Sequence, residues 1–211
     1  HPVRRDLIDL LDTPPEKVTT LHLGVSSRFA PEPRPGERAH LVDQYGVGRN
    51  LFVLGLGTLQ PRKNYRRLME ALDPIAEKHD LELALVGQPA WLSDPIVKAA
   101  EERDYVHVLG FVEDRDLPAR YRQAEVFAFP SLYEGFGLPP LEAMACGTPV
   151  VASSASSVPE AVGDAGLLVD PLDISGWREA LDRALNDSTL QQRLRTYGLQ
   201  RAAAFTWART A

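Results

Sequence analysis

The chain is 211 residues long, 44% hydrophobic and 25% charged, which excludes wholesale disorder and gives enough length to bury a core without a disulfide or metal staple. Its 23 basic against 29 acidic residues leave a net charge of −6, which argues against a nucleic-acid or anionic-membrane protein. The single cysteine, Cys146, excludes a disulfide-rich scaffold, and no apolar run approaches the roughly 20 residues of a membrane helix.

Residues 3–11 predict a short helix, and Val18 to Val25 an extended segment. The stretch Ala30-Pro31-Glu32-Pro33-Arg34-Pro35-Gly36 continues neither, because proline removes the amide donor and fixes φ; a linker is expected there. From residue 51 a regular alternation begins. Leu51 to Leu54 is an apolar strand ending in Gly55-Leu56-Gly57. A helix follows from Asn64, a candidate N-cap, with Leu68, Leu72 and Ile75 on one face. Leu83 to Val86 ends at Gly87 and precedes a helix reaching Arg103. Tyr105 to Leu109 ends at Gly110, and a helix from Asp116 to Ala124 leads into Val126 to Phe129. A helix over Leu138–Cys146 precedes Pro149 to Ala152, and a helical turn at Pro159–Val162 leads to Leu167 to Val169. Helices over 173–186 and 188–204 close the chain.

Six short apolar runs alternating with helices predict an α/β fold, a parallel sheet with helices on both faces. Such sheets bind ligands in the crevice beyond the carboxyl ends of their strands. Five of the six strands here end in Gly, Pro or Ser, which lets backbone approach a ligand closely.

Two stretches carry candidate chemistry. Gly55-Leu56-Gly57 follows a strand and precedes a helix, but a third glycine and a ribose-binding acid are missing, so it is a weak sign of dinucleotide binding. Pro61-Arg62-Lys63-Asn64 places two cations just before a helix whose free amides favour an anion, which suits a diphosphate. A solvated basic turn, continued by Arg66 and Arg67, reads the same residues. The sharper stretch runs from Pro130 to Glu142, where Gly135 and Gly137 permit a strained loop with amides turned to one ligand. Glu134 at its entrance and Glu142 one turn into the helix would accept hydrogen bonds from two sets of hydroxyls. The plain alternative is a solvated glutamate, which the glycine and apolar flanks disfavour.

The segment Glu134-Gly135-Phe136-Gly137-Leu138-Pro139, followed by Glu142-Ala143-Met144-Ala145-Cys146-Gly147-Thr148-Pro149-Val150-Val151, closely resembles the signature of glycosyltransferase family 4. Gly57-Thr58-Leu59-Gln60-Pro61-Arg62-Lys63-Asn64, Gly110-Phe111-Val112 and the closing Phe205-Thr206-Trp207 resemble it too, so that matches in order span residues 51–208. The resemblance implies the Rossmann-like C-terminal half of a two-domain GT-B enzyme. That half holds the nucleotide-sugar donor, and the reaction retains anomeric configuration and usually needs no metal. Lys63, with Arg62, would neutralise the donor diphosphate. Glu134 would bind donor sugar hydroxyls beside the amides of Gly135, Phe136, Gly137 and Leu138. Glu142 would hold the ribose, and backbone near Phe111 and Val112 would meet the base. Many members carry Arg where this chain has Thr58; Arg62 supplies that charge in the subgroup with a Gly-Thr-Leu-x-Pro-Arg-Lys-Asn string, which leans towards mannosyl transfer from GDP-mannose.

Residues 1–38 are then expected to be the bridge from the other half, and residues 39–211 the donor-binding domain. Alone, the chain is expected to bind a GDP- or UDP-sugar without turnover. A glycan or lipid-linked acceptor would be held by an N-terminal domain outside it. No cofactor, metal or nucleic-acid partner is expected. The expected location is the cytoplasm, with no signal peptide, or the membrane periphery through that other domain. A sugar-nucleotide epimerase of the same architecture and a non-catalytic binding module stay open as alternatives. Asp114-Arg115-Asp116 has the spelling of a metal pair, but Asp opening a helix is expected to be a cap. The five histidines lack ligand spacing, Ser131 and Ser153 have no evident His-Asp partners, and Cys146 is expected in the core. Trp91 either lines the cleft or packs inside.

Overall fold

A computed structural model describes residues 1–210. The six apolar runs form strands β1 (Leu51–Leu56), β2 (Leu81–Val86), β3 (Val106–Gly110), β4 (Val126–Phe129), β5 (Val150–Ser153) and β6 (Leu167–Val169). All pair parallel in the order β3-β2-β1-β4-β5-β6. β4 and β5 are buried along their whole length, as strands covered on both faces must be. Side chains alternate between the faces: Phe52, Leu54, Phe127 and Phe129 enter one core, and Val53, Val126, Ala128 and Val151 the other.

The helices are α1 (Pro2–Leu11), α2 (Glu37–Tyr45), α3 (Tyr65–Lys78), α4 (Asp94–Glu101), α5 (Leu117–Gln123), α6 (Leu138–Ala145), α7 (Val158–Val162), α8 (Ile174–Asn186), α9 (Ser188–Ala203) and α10 (Trp207–Thr210). The second core is filled from α3, α4 and α8 by residues such as Leu68, Ile96 and Trp177; the first from α5, α6, α7 and α9 by Tyr121, Leu141, Val158 and Ala202. Among the described residues no helix is long and apolar enough to cross a membrane.

Two helices lie outside the expected elements. Helix α2 was not expected; it is bracketed by Gly36 and Gly46, both at left-handed φ (73° and 72°), and buries only Glu37 and Leu41, too little for a periodic apolar face. The final turn α10 was not expected either. The extended segment Val18 to Val25 joins no sheet. Its end docks instead on the chain's last turns: the Val25 amide donates to the Phe205 carbonyl at 2.9 Å, and Gly24 lies flat against Thr206 and Trp207. A Cβ on Gly24 would stand 2.2 Å from the Trp207 amide nitrogen. Gly24→Ala is therefore expected to force these two backbones apart and cost about 1–3 kcal/mol, the usual range for overpacking, seen as a lower Tm. An unchanged Tm would show that the contact is not tight.

The chain winds outward from β1 to β2 and β3, then crosses back to place β4 on the other side of β1. The connections after β1 and β4 thus lead to opposite faces of the sheet, α3 into the second core and α6 into the first, the switch point beside which sheets of this kind bind ligands.

Candidate active site

After β1 the backbone passes Gly57 and the exposed Thr58, then makes one 3-10 turn, Pro61–Lys63, before α3. After β4 it runs from Pro130 to Gly137 before α6. Since β1 and β4 are neighbours, with Val53 opposite Val126, these two loops meet. The Leu132 amide donates to the Arg62 carbonyl at 2.8 Å, and the Arg62 guanidinium donates to the Tyr133 carbonyl. Asn64 occupies the N-cap position of α3, but at φ 58° and with no side-chain cap bond. Its amide nitrogen donates instead to the carbonyls of Pro130 (3.1 Å) and Pro171 (2.7 Å), stitching together the loops that follow β1, β4 and β6.

Across this seam Lys63 Nζ lies 2.7 Å, and Arg62 Nη1 2.8 Å, from the same oxygen, Glu134 Oε1. Lys63 is buried, which pulls its ammonium below the ordinary lysine range against the opposing pull of Glu134. The ammonium also lies 4.9 Å from the centre of the Phe129 ring. Gly57, at φ 140°, makes room for it: a Cβ there would stand 2.8 Å from Lys63 Cε and 2.9 Å from Nζ. The backbone of Glu134 is fixed from the far side, where Ser156 and Ser157 donate to its carbonyl at 2.8 and 2.7 Å.

Gly135 is exposed, Phe136 is buried, and Gly137, at φ 115°, opens α6 so that Leu138 is the first helical residue. Glu142 lies one turn further and accepts a 3.0 Å hydrogen bond from the Tyr121 hydroxyl. Burial raises the Glu142 carboxyl above the ordinary glutamate range, against the lowering effect of that bond. Phe111 and Val112 divide. Phe111 is 69% exposed, while Val112 is buried in the core.

Tyr121, Asn64, Ser156 and Ser157 support this region and were not singled out as functional in the sequence. Tyr121 reads as an ordinary core aromatic, and the two serines sit in a tract too short to signal anything. Asp116 does not cap α5; with helical φ and ψ it points elsewhere, accepting a 2.8 Å bond from the Tyr45 hydroxyl and lying 3.3 Å from His40 Nε2. Asp114 pairs with Arg28 at 3.2 Å. Cys146 lies in the core with its thiol pushed up by burial to about 12, so it is not a nucleophile at neutral pH. Trp91 is 76% exposed, which excludes the packed alternative. Ser131 Oγ is buried, and Ser153 Oγ accepts from the Ala155 amide at 3.1 Å.

The geometry therefore offers two cations able to hold an anion and, within hydrogen-bond reach of both, a carboxylate able to accept from hydroxyls. A second carboxylate, Glu142, stands one turn into α6. The family model described as glycosyl transferases group 1 matches residues 42–201. O-antigen chain mannosyltransferase B of Escherichia coli is 37% identical over 209 residues, 97% of this chain and 55% of that protein, so the chain spans about half the length of this curated relative. Sucrose-phosphate synthase of Thermosynechococcus elongatus superposes with a TM-score of 0.76 at 31% identity, over 89% of this chain and 48% of that one. Anabaena HepE, solved in complex with UDP and glucose, superposes with a TM-score of 0.80 at 24% identity, over 92% of this chain and 54% of that one.

Proposed function

The chain belongs to the glycosyl transferases group 1 family, and from that premise we propose that it is the donor-binding half of a retaining glycosyltransferase. The enzyme would move a hexosyl group, by our reading mannosyl, from a nucleoside-diphosphate sugar to a glycan or lipid-linked acceptor. One observation carries the reading: a single carboxylate, Glu134, lies within 2.8 Å of both Arg62 and Lys63. Breaking the bond between the sugar and the diphosphate leaves negative charge on the leaving phosphate. Fixed cations aimed at that position stabilise it in the transition state. Arg62 and Lys63 take this role, aided by the amides of the Gly135–Leu138 segment. Glu134, beside them, holds sugar hydroxyls. Glu142 takes the ribose hydroxyls, Thr58 lines the diphosphate side, and the backbone at Phe111 and Val112 meets the base. No metal is required by this arrangement.

Residues 39–211 form the donor unit in this reading, and residues 1–38 the bridge towards the part of the enzyme that holds the acceptor. That part would place the enzyme in the cytoplasm, at or near the membrane. The name of the E. coli relative and the UDP and glucose bound to HepE support both the transfer chemistry and the donor class. Neither a sugar-nucleotide epimerase nor a non-catalytic module has comparable support. Calorimetric titration of the folded chain with GDP, UDP, ADP and their sugars tests the reading. Binding of at least one pair is expected, with the sugar nucleotide tighter than its diphosphate. A folded chain that binds none of them refutes it.

A further inference from the structure

Glu134 lies in a loop without secondary structure, with glycines at 135 and 137, so its own backbone does little to hold the carboxylate in place. The loop between β5 and α7 does this instead. Ser156 Oγ donates to the Glu134 carbonyl at 2.8 Å, and Ser157 Oγ donates to the same oxygen at 2.7 Å. The Glu134 amide donates back to Ser156 Oγ at 3.3 Å. Both polar groups of the Glu134 main chain thus end on two hydroxyls, and the carbonyl has both of its acceptor sites filled.

Both serines depart from ordinary local behaviour to do this. Ser157 holds the N-cap position of α7, where serine normally bonds an amide of its own helix; here it makes no cap bond and gives its hydroxyl to Glu134. Ser157 is completely buried. Ser156 sits at φ 57°, a conformation that costs a non-glycine residue energy and persists only where surrounding contacts impose it. A forgone cap and a strained residue meet at one carbonyl, that of the carboxylate facing the two cations.

We propose that Ser156 and Ser157 are positioning residues that set where the Glu134 carboxylate meets the donor sugar. This rests on Glu134 being the sugar-binding group. The serines bond to neither Arg62 nor Lys63 and act through Glu134, so recognition of the sugar is expected to suffer far more than recognition of the diphosphate.

The test uses the 211-residue chain with two probe pairs, GDP against GDP-mannose and UDP against UDP-glucose, titrated by calorimetry. Ser156→Gly removes one hydroxyl and relieves the strain, since glycine accepts φ 57°; Ser157→Ala removes the other. In the double variant, affinity for the diphosphate is expected to stay within about two-fold, while the advantage of the sugar nucleotide falls about five- to ten-fold, the effect of roughly one net hydrogen bond. Should the double variant fail to fold, Ser156→Gly alone is expected to melt no lower than wild type and still reduce that advantage about two-fold. A purely structural role predicts a lower Tm with the advantage intact, or parallel loss of both ligands; either result overturns the proposal. A folded wild-type chain that binds neither member of either pair, or prefers no sugar nucleotide, overturns the donor-site reading and this proposal with it.

Discussion

Lys63→Ala is expected to weaken nucleoside-diphosphate binding by about 100-fold, the scale for truncating one partner of a buried, charge-assisted contact. Arg62→Ala is expected to cost about ten-fold, because its side chain is 38% exposed against 10% for Lys63 and competes with water for the same anion. The order of the two effects is the informative part. A larger loss from Arg62 would move the centre of the anion site outward, to the rim. Burial also sets a pH signature. Lys63 binds an anion only when protonated, and burial has lowered its pKa, so affinity should decline as pH rises through a value below the ordinary lysine range. In the proposed reading Glu142 would accept ribose hydroxyls as a carboxylate, and burial has raised its pKa, so affinity should decline as pH falls through a value above the ordinary glutamate range. The working window is therefore narrowed from both sides. Lys63→Ala should flatten the alkaline limb and leave the acid limb in place. Dissociation constants measured across pH on both proteins check this, and an alkaline limb that survives in the variant would assign it to another group.

How far the sequence reveals such a site depends on which physical scale each part uses. All six strands were legible, because parallel strands buried on both faces are short apolar runs, and here most are closed by Gly or Pro. Most helix ends were placed within one or two residues. α2 was not, since one buried leucine and one buried glutamate leave no stripe to detect. The loops carrying Arg62 and Lys63 and carrying Glu134 were each legible in isolation. Their meeting at one carboxylate oxygen was not, because it depends on β4 lying beside β1, an order that no local pattern encodes. The same limit hid the support around them. Asn64 looks like a cap and Ser157 looks like a cap, and both give their side chains to carbonyls 66 and 23 positions away. A residue's local preference names the bonds it can make, and the strand order decides which of them it makes.

The largest expected loss of stability comes from Glu37→Ala, at the junction between the proline-rich segment and the folded body. Glu37 and Arg122 are both nearly buried, with side chains 4% and 7% exposed, and they meet in a fork: Nε to Oε1 at 3.0 Å and Nη2 to Oε2 at 2.5 Å. Arg122 also donates to the Ala30 carbonyl at 2.9 Å, and the Arg34 amide donates to Glu37 at 3.3 Å, so the pair anchors residues 30–37 to α5. Removing the carboxylate leaves a guanidinium buried with one carbonyl for company, a loss of about 3–5 kcal/mol. For a chain of this length that lowers the Tm by roughly 6–20 °C. Replacing both partners with methionine removes the stranded charge and should restore much of the loss, which separates desolvation from packing. The pH dependence has a definite sign. Burial pushes the Glu37 carboxyl up, but its bonds to Arg122 and the Arg34 amide outweigh burial and hold it below the ordinary value. The stabilisation is therefore complete above the unfolded pKa, about 4.3, and is lost as pH falls through the lower folded value. Thermal denaturation between pH 3 and 7 should show wild type and Glu37→Ala converging in acid. A constant gap across that range would mean that the fork acts through shape alone, and that its charge does nothing to hold the linker on the domain.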